Sequence, residues 1–237
     1  MKNDTLYINA RFLTQPVTGV QRFGIEITKQ LKKTTNLICL SPPNIIHHEL
    51  AEELEAKIIG RFSSHLWEQI ELPFYLKRIG SPLLFNYNGL GPIFYRNKLI
   101  TIHDVSFLRH PEWFSKSYSL FYRTFTGISA SNSKKIITVS EFSANEIVQF
   151  LNIPKDKIEV IYNAVNHSAD TKLDNLIDGK YILTVSSLDP RKNLEKLIEA
   201  FKLLNREDIK LVIVGASNKI FNQSIKSIDD ERIIFFG

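Results

Sequence analysis

Five consecutive residues, Asp189-Pro190-Arg191-Lys192-Asn193, put two full positive charges between an apolar run, Tyr181 to Ser186, and a helical pattern that starts near Leu194. The start of a helix that follows a strand presents free backbone N–H groups and a partial positive charge, so it favours phosphate before any side chain contributes. Arg191 and Lys192 placed there suit a diphosphate. The bland reading is solvated surface, with Pro190 serving only to open the helix. His103, followed by Asp104, closes another apolar run, Leu99 to His103. Open parallel sheets bind ligands outside the C-terminal ends of their strands, although a single histidine there more often serves structure. Other chemistries find less support. The only cysteine, Cys39, lies in the apolar run Leu37 to Leu40 and reads as a small buried thiol. No Asp-x-Asp pair offers itself to a metal, so neither metal nor cofactor is expected. Glu199 and Glu207 are assigned no catalytic role.

The elements that must carry these residues follow from periodicity. Short β-branched runs at Leu6 to Asn9, Leu37 to Leu40, Lys57 to Ile59, Leu83 to Asn86, Leu99 to His103, Lys135 to Val139 and Ile158 to Tyr162 read as strands. Helical patterns fit between them at Gly19 to Lys33, Glu49 to Ala56, Leu66 to Ile79 across Pro73, Lys116 to Ser131 and Ser143 to Leu151. Strands alternating with helices imply βαβ units, a mostly parallel sheet and a Rossmann-like domain. Ser140 and Ser143 read as helix caps, and Ser143 to Glu146 fits a capping box. Tyr118, Phe121, Tyr122 and Phe125 recur at helical spacing. That stripe is expected to pack in the core, with the basic residues of the same segment outward.

The chain turns polar from Ser168 to Lys180, after which a second series begins: strand Tyr181 to Ser186, helix Leu194 to Asn205, strand Lys210 to Val214, a short helix near Lys219 to Ser227 and strand Arg232 to Phe236. The expected organisation is therefore a first domain at 1–168, a linker at 169–179 and the start of a second Rossmann-like domain at 180–237.

Composition bounds the partners. With 43% apolar and 23% charged residues the chain is an ordinary globular protein able to bury a core. Thirty Lys and Arg against 25 Asp and Glu give +5, which favours anionic partners without naming one. No acid occurs between Glu112 and Glu141, whereas Lys116, Arg123, Lys134 and Lys135 do. An anionic membrane surface is one candidate for that segment and a solvated helix face is the other. Nucleic acid is not expected, because the basic residues are not interleaved with aromatics in a recognisable module. Met1 to Asp4 lead straight into a strand without an apolar export signal, and no run is long enough to span a bilayer. The expected location is cytoplasmic, peripheral on the inner face of the membrane.

The segments Thr18-Gly19-Val20-Gln21-Arg22-Phe23, Ile102-His103-Asp104, Val139-Ser140-Glu141-Phe142-Ser143 and Val185 to Asn193, followed by Leu211-Val212-Ile213-Val214-Gly215, stand in the order and spacing of glycosyltransferase family 4. The chain resembles that family over nearly its whole length, and its bacterial surface-polysaccharide members of the mannosyl and rhamnosyl type most. The resemblance implies a GT-B fold, retaining chemistry and a nucleotide-sugar donor (GDP-, UDP- or dTDP-linked). It also implies a lipid-linked saccharide acceptor, as in O-antigen or capsule synthesis. Gly19 resembles the glycine of the loop after the first strand, which approaches the donor phosphates and acceptor. His103 resembles the histidine that positions the transferred sugar, with Asp104 orienting it or capping the next turn. Arg191 and Lys192 resemble the phosphate-binding pair. Many members carry an arginine where this chain has Ser187, leaving Arg191 to supply that charge. A pair of glutamates separated by seven residues, expected beyond residue 237, is absent from these residues. The alternative is thus a catalytically inactive remnant, or the acceptor-binding half of a split transferase.

Overall fold

A computed structural model describes residues 5–165, 177–186, 192–215 and 230–236, which belong to two compact units, Met1–Val165 and Asn166–Gly237. The first unit is built on seven parallel strands, β1 (Leu6–Asn9), β2 (Leu37–Ser41), β3 (Lys57–Ile58), β4 (Leu84–Asn86), β5 (Lys98–Thr101), β6 (Lys135–Thr138) and β7 (Ile158–Val160), in the order β3-β2-β1-β4-β5-β6-β7. The order reverses between β1 and β4. In a doubly wound sheet that reversal opens a crevice outside the C-terminal ends of the two central strands. The register sets Tyr7 against Leu84 and Ile8 against Phe85, so Asn9 and Asn86, the last residues of their strands, emerge side by side into it.

Helices cover both faces: α1 (Gly19–Lys32), α2 (His48–Glu53), α3 (Ser64–Leu66), α4 (Leu72–Arg78), α5 (Ser106–Arg109), α6 (Lys116–Asn132) and α7 (Glu141–Leu151). One cluster, including Ile8, Phe12, Leu13, Ile25, Cys39 and Phe85, lies under α1. Another, including Ile100, Ile102, Ile136, Ala144 and Ile147, lies under α6 and α7. Cys39 is fully buried, and burial pushes its thiol up to about 12, so it is the inert apolar group expected.

The stretch around Pro73 is continuous but not uniform. Between α3 and α4 the residues Trp67–Glu71 form a π-helical turn, and the Leu72 N–H reaches back five residues to Trp67 O. Pro73 follows directly and has no N–H to give; a widened turn just before it keeps its ring away from the preceding carbonyls. This turn organises its surroundings. Trp67 Nε1 donates to Ile59 O (2.8 Å), and Gln69 bonds Gly91 O and the Ile93 N–H (2.7 and 2.9 Å). Glu71 accepts from the N–H groups of Arg61 and Phe62 (2.8 and 2.9 Å). Gly60, at φ +76°, lies so close to Glu71 that an added Cβ would sit 2.1 Å from its carboxylate.

Two expectations need correction. Helix α7 is capped by Ser140, whose Oγ accepts from the Ser143 N–H at 3.1 Å, so Ser143 lies inside the first turn and Ser143–Glu146 is not a capping box. Glu146 pairs instead with Arg109 at 2.6 Å. The aromatic stripe of α6 is not a core stripe either. Tyr118 and Phe121 are each 40% exposed, and the buried residues of α6, Thr126, Ser129 and Ala130, lie in its C-terminal half. Of the four, Tyr122 packs against the core cluster under α6 and α7, and Phe121 also meets His65 at 6.3 Å. Tyr118 stacks on Tyr122 at 4.2 Å, and Phe121 packs on Phe125 at 4.7 Å.

In the second unit, β8 (Lys180–Val185), β9 (Ile209–Val214) and β10 (Ile233–Phe236) form a parallel sheet in the order β10-β9-β8. Helix α8 (Leu194–Leu203) packs Leu194, Ile198 and Phe201 on Leu211 and Ile213. The helix expected near 219–227 lies outside the described residues.

Candidate functional site at the C-terminal sheet edge

The crevice of the first unit is polar where the sheet below it is apolar. Asn9 donates through Nδ2 to Glu68 Oε1 (2.7 Å) and to Asn86 Oδ1 (2.5 Å), while Asn86 is held in turn by Asn88 Oδ1 (3.0 Å). Arg11, in the 3₁₀ turn Arg11–Thr14 that follows β1, lies 3.5 Å from Glu68 Oε2 and 3.2 Å from His65 Nδ1. Glu68 is fully buried and Arg11 is 6% exposed. Burial alone would push the Glu68 carboxyl up. The hydrogen bonds and charges of His65, Arg11 and Asn9 outweigh it and hold the group below the ordinary carboxylate value. Two buried polar atoms of this network, Arg11 Nε and Glu68 Oε2, have no hydrogen-bond partner. A small pocket opens beside it, where Asn9, Arg11, Gln15, Gln21, Asn86 and Asn88 share the lining with Phe12, Val20 and Tyr87.

His103 stands next to this pocket, two residues beyond the end of β5 rather than on the strand. Its ring packs edge-on against Phe23 of α1 at 4.9 Å, and Nε2 lies 3.1 Å from Tyr87 O. A carbonyl only accepts, so Nε2 carries the proton and Nδ1 keeps a lone pair. Burial pulls the ring below its ordinary value and keeps it neutral near pH 7. The backbone is pinned as well, because Ser143 Oγ donates to His103 O at 2.9 Å. His103 is therefore a fixed, neutral group that can accept a hydroxyl proton. Asp104 is exposed, and its Oδ1 accepts from the Ser106 N–H at 2.9 Å, which opens α5.

Gly19 is the first residue of α1 and nothing lies within 4 Å of a Cβ placed on it, so no protein atom occupies the space its missing side chain leaves. Just before it, the Thr18 N–H bonds Gln21 Oε1 at 3.2 Å, and Gln21 Nε2 bonds Gln15 Oε1 at 3.0 Å. In the second unit Lys192 is exposed beside Asn193, which caps α8 in a left-handed conformation at φ 52°. Ser187 and Arg191 lie outside the described residues. Of the expected site residues, Gly19, His103 and Asp104 thus lie at the C-terminal edge of the first unit's sheet, and Lys192 at the head of α8.

Sequence reading missed Asn9, Arg11, Glu68 and Asn86. A signal was present: each strand at the switch point ends on an asparagine, and Glu68 interrupts an otherwise apolar helix face next to Trp67. Among the described residues no group of three or more His, Cys, Asp or Glu could hold a metal ion.

A doubly wound first unit with polar groups at its switch point, followed by a second parallel βα series, defines a two-part Rossmann-like chain of the GT-B kind. Residues 77–169 match the family model described as Glycosyltransferase Family 4, and residues 169–237 match Glycosyl transferases group 1. The fold is of the GT-B type, and each of the two matched stretches resembles its glycosyltransferase family. It is 25% identical over 229 residues to O-antigen chain mannosyltransferase B of Escherichia coli, covering 81% of this chain and 58% of that protein. It is 30% identical over 123 residues to O-antigen chain mannosyltransferase RfbU of Salmonella typhimurium, covering 52% and 34% respectively. The chain thus matches about a third to somewhat over half the length of these curated relatives. Among solved structures, Anabaena Alr3699/HepE in complex with UDP superposes with a TM-score of 0.71 at 15% identity, over 99% of this chain and 69% of that one. The lipopolysaccharide outer core galactosyltransferase WaaB superposes with a TM-score of 0.58 at 14% identity, over 98% and 67%. At such identities these likenesses show the fold.

Proposed function

We propose that the chain serves the transfer of a hexose of the mannose or rhamnose type from a nucleotide sugar to a lipid-linked saccharide, in the synthesis of a bacterial surface polysaccharide. In this reading residues 1–168 hold the acceptor side, 169–179 link, and 180–237 belong to the side that binds the donor nucleotide. The observation that carries it is the ligand edge of the first unit. There a neutral, half-buried His103 stands near the amides of Asn9, Asn86 and Asn88 at the switch point, a set of neutral donors and acceptors suited to hydroxyl groups. The relatives' names, both O-antigen mannosyltransferases, support the substrate class. The solved complex with UDP supports a nucleoside-diphosphate leaving group. Lys192 at the head of α8 and Arg191 supply charge for that diphosphate, and Ser187 offers it a hydroxyl. His103 and Gly19 position the reacting sugar, and Asp104 supports the turn after His103. A lipid-linked acceptor places the work at the cytoplasmic face of the membrane.

The test is transfer of labelled sugar from GDP-, UDP- and dTDP-sugars to a lipid-linked saccharide by the native protein. It is run beside calorimetry with the three nucleoside diphosphates on wild type and Lys192→Ala. One donor is expected to support transfer, and His103→Ala to lower it at least tenfold without a change in melting temperature. Lys192→Ala is expected to weaken diphosphate binding about tenfold, the value of one charge-assisted contact. Neither transfer nor diphosphate binding with any of the three would overturn the reading.

A further inference from the structure

Three atoms of the ligand edge form a triangle whose demands conflict. Arg11 Nη1 lies 3.2 Å from His65 Nδ1 and 3.5 Å from Glu68 Oε2, and Nδ1 and Oε2 are 3.6 Å apart. A guanidinium only donates and a carboxylate only accepts, so Nδ1 serves one of them at a time. While unprotonated it accepts from Arg11, and Glu68 Oε2 is left without a hydrogen-bond partner. With a proton taken up from solvent it donates to Oε2 instead, and the imidazolium then faces the guanidinium charge across the same short distance. Of the groups set against this ring, Arg11 comes from the turn after β1 and Glu68 from the π-helical turn. Helix α6 brings the uncharged Phe121, edge-on at 6.3 Å.

A surface histidine needs no explanation by itself. This one follows Ser64, whose left-handed backbone at φ 54° is strained for a non-glycine residue. Its side chain is 46% exposed, so solvent protons reach it, whereas Arg11 and Glu68 are buried. Arg11 is also the one residue with a formal charge among the nine that line the pocket beside Asn9 and Asn86. We propose that His65 is a positioning residue: its neutral ring holds the Arg11 guanidinium against the pocket, where Arg11 donates to an oxygen of the bound saccharide, and protonation at Nδ1 releases it. The inference rests on the transferase reading for its ligand class. Saccharide binding is therefore strongest while His65 is neutral and weakens as the pH falls. His103 stands next to the same pocket and adds its own dependence, which a change at His65 alone leaves in place.

The test is an NMR titration of the full chain with an α-linked mannobioside, repeated from pH 8 down to pH 5. Affinity, followed at the Arg11 side-chain N–H signals, should fall about tenfold over that range, the value of one hydrogen bond to a charged group. Long-range nitrogen-15 spectra of the imidazole should show Nδ1 unprotonated where binding is strongest and protonated where it is weakest. His65→Asn sets an amide oxygen where Nδ1 stands, an acceptor that takes up no proton. It should keep the affinity seen at pH 8 and lose the fall, apart from the part due to His103. His65→Ala leaves Arg11 unheld and should bind about tenfold more weakly even at pH 8. An equal fall in wild type and His65→Asn, wild-type affinity in His65→Ala, or no saturable mannobioside binding at pH 8 overturns the proposal. So does a protonated Nδ1 at pH 8, which would pair His65 with Glu68 throughout. Sugar transfer and nucleoside-diphosphate binding are measured on the same samples, and their presence in any of these cases leaves the transferase reading standing.

Discussion

Charged groups are buried at both edges of the seven-stranded sheet, and the two edges treat them differently. At the N-terminal edge Lys98 opens β5 with its side chain fully buried, and its ammonium donates to Pro92 O (2.8 Å) and Ile93 O (3.1 Å). It spends its hydrogen bonds on holding the loop before the strand. At the C-terminal edge Arg11 and Glu68 form a loose pair at 3.5 Å, and one atom of each is left without a hydrogen bond. A buried polar atom left unpaired costs about 1–3 kcal/mol. That cost persists on the side where doubly wound sheets take ligands, and Glu68 Oε2 has only the longer contacts of Arg11 at 3.5 Å and His65 at 3.6 Å to offset it. Buried charge thus serves the fold at one edge and leaves room for chemistry at the other.

The largest expected effect tests the second half of that contrast. Glu68→Ala strands the Arg11 guanidinium in a dry site and should destabilise the first unit by about 3–5 kcal/mol, seen in urea unfolding. Replacing both partners, Arg11→Met with Glu68→Leu, should restore part of that stability, since apolar groups of similar volume carry no desolvation cost while Asn9 Nδ2 loses its bond to Glu68. The double variant should fold yet bind the saccharide acceptor at least tenfold more weakly. A double variant that folds and binds like wild type would make the network a structural pair, no different in kind from Lys98.

The next effect probes Lys98. Burial, helped by the positive charge of Lys157, pulls its ammonium down to about 7 from an ordinary 10.5. Below pH 7 folded and unfolded chains both hold the proton, and the buried charge costs stability throughout. Between pH 7 and 10.5 the unfolded chain keeps a proton that the folded chain has released, so stability rises with pH. By pH 9 the gain should be about 2 kcal/mol. Lys98→Met should remove this rise, so that urea midpoints at pH 7 and pH 9 agree. Wild type and variant rising in parallel would show that Lys98 stays charged in the fold.

The strands, the major helices and the parallel topology were legible because apolar runs of four to six residues alternating with amphipathic stretches leave few other folds. Motif order put Gly19 after the first strand and His103 after the fifth, and both lie there. Burial of the α6 aromatics was legible only in part: periodicity tells which residues share a face but not how much of that face is covered, and Tyr118 and Phe121 are left exposed while Tyr122 packs on the core. The Arg11–Glu68 network was hidden for a related reason. Its members come from segments 54 to 77 residues apart, and only the switch point between β1 and β4 brings them together. The Ser143 capping box failed because Ser140 sits one turn earlier with the extended backbone that a cap requires.

The smallest expected effect separates two roles of Asp104 and returns to what the ligand edge needs charge for. Its Oδ1 caps the turn at Ser106, a bond that an asparagine oxygen makes equally well, so Asp104→Asn should change stability by less than about 0.5 kcal/mol. The aspartate charge also raises the His103 ring somewhat, against the larger effect of burial. Removing it should therefore move the His103 titration further down, measured by NMR of the ring protons, and leave the ring neutral at pH 7 as before. If, as proposed, the site uses a neutral His103 with its lone pair on Nδ1, transfer should stay within about threefold of wild type. A tenfold loss with the cap intact would mean that the Asp104 carboxylate itself acts on the substrate, and that the ligand edge relies on negative charge rather than on neutral, prepositioned donors and acceptors.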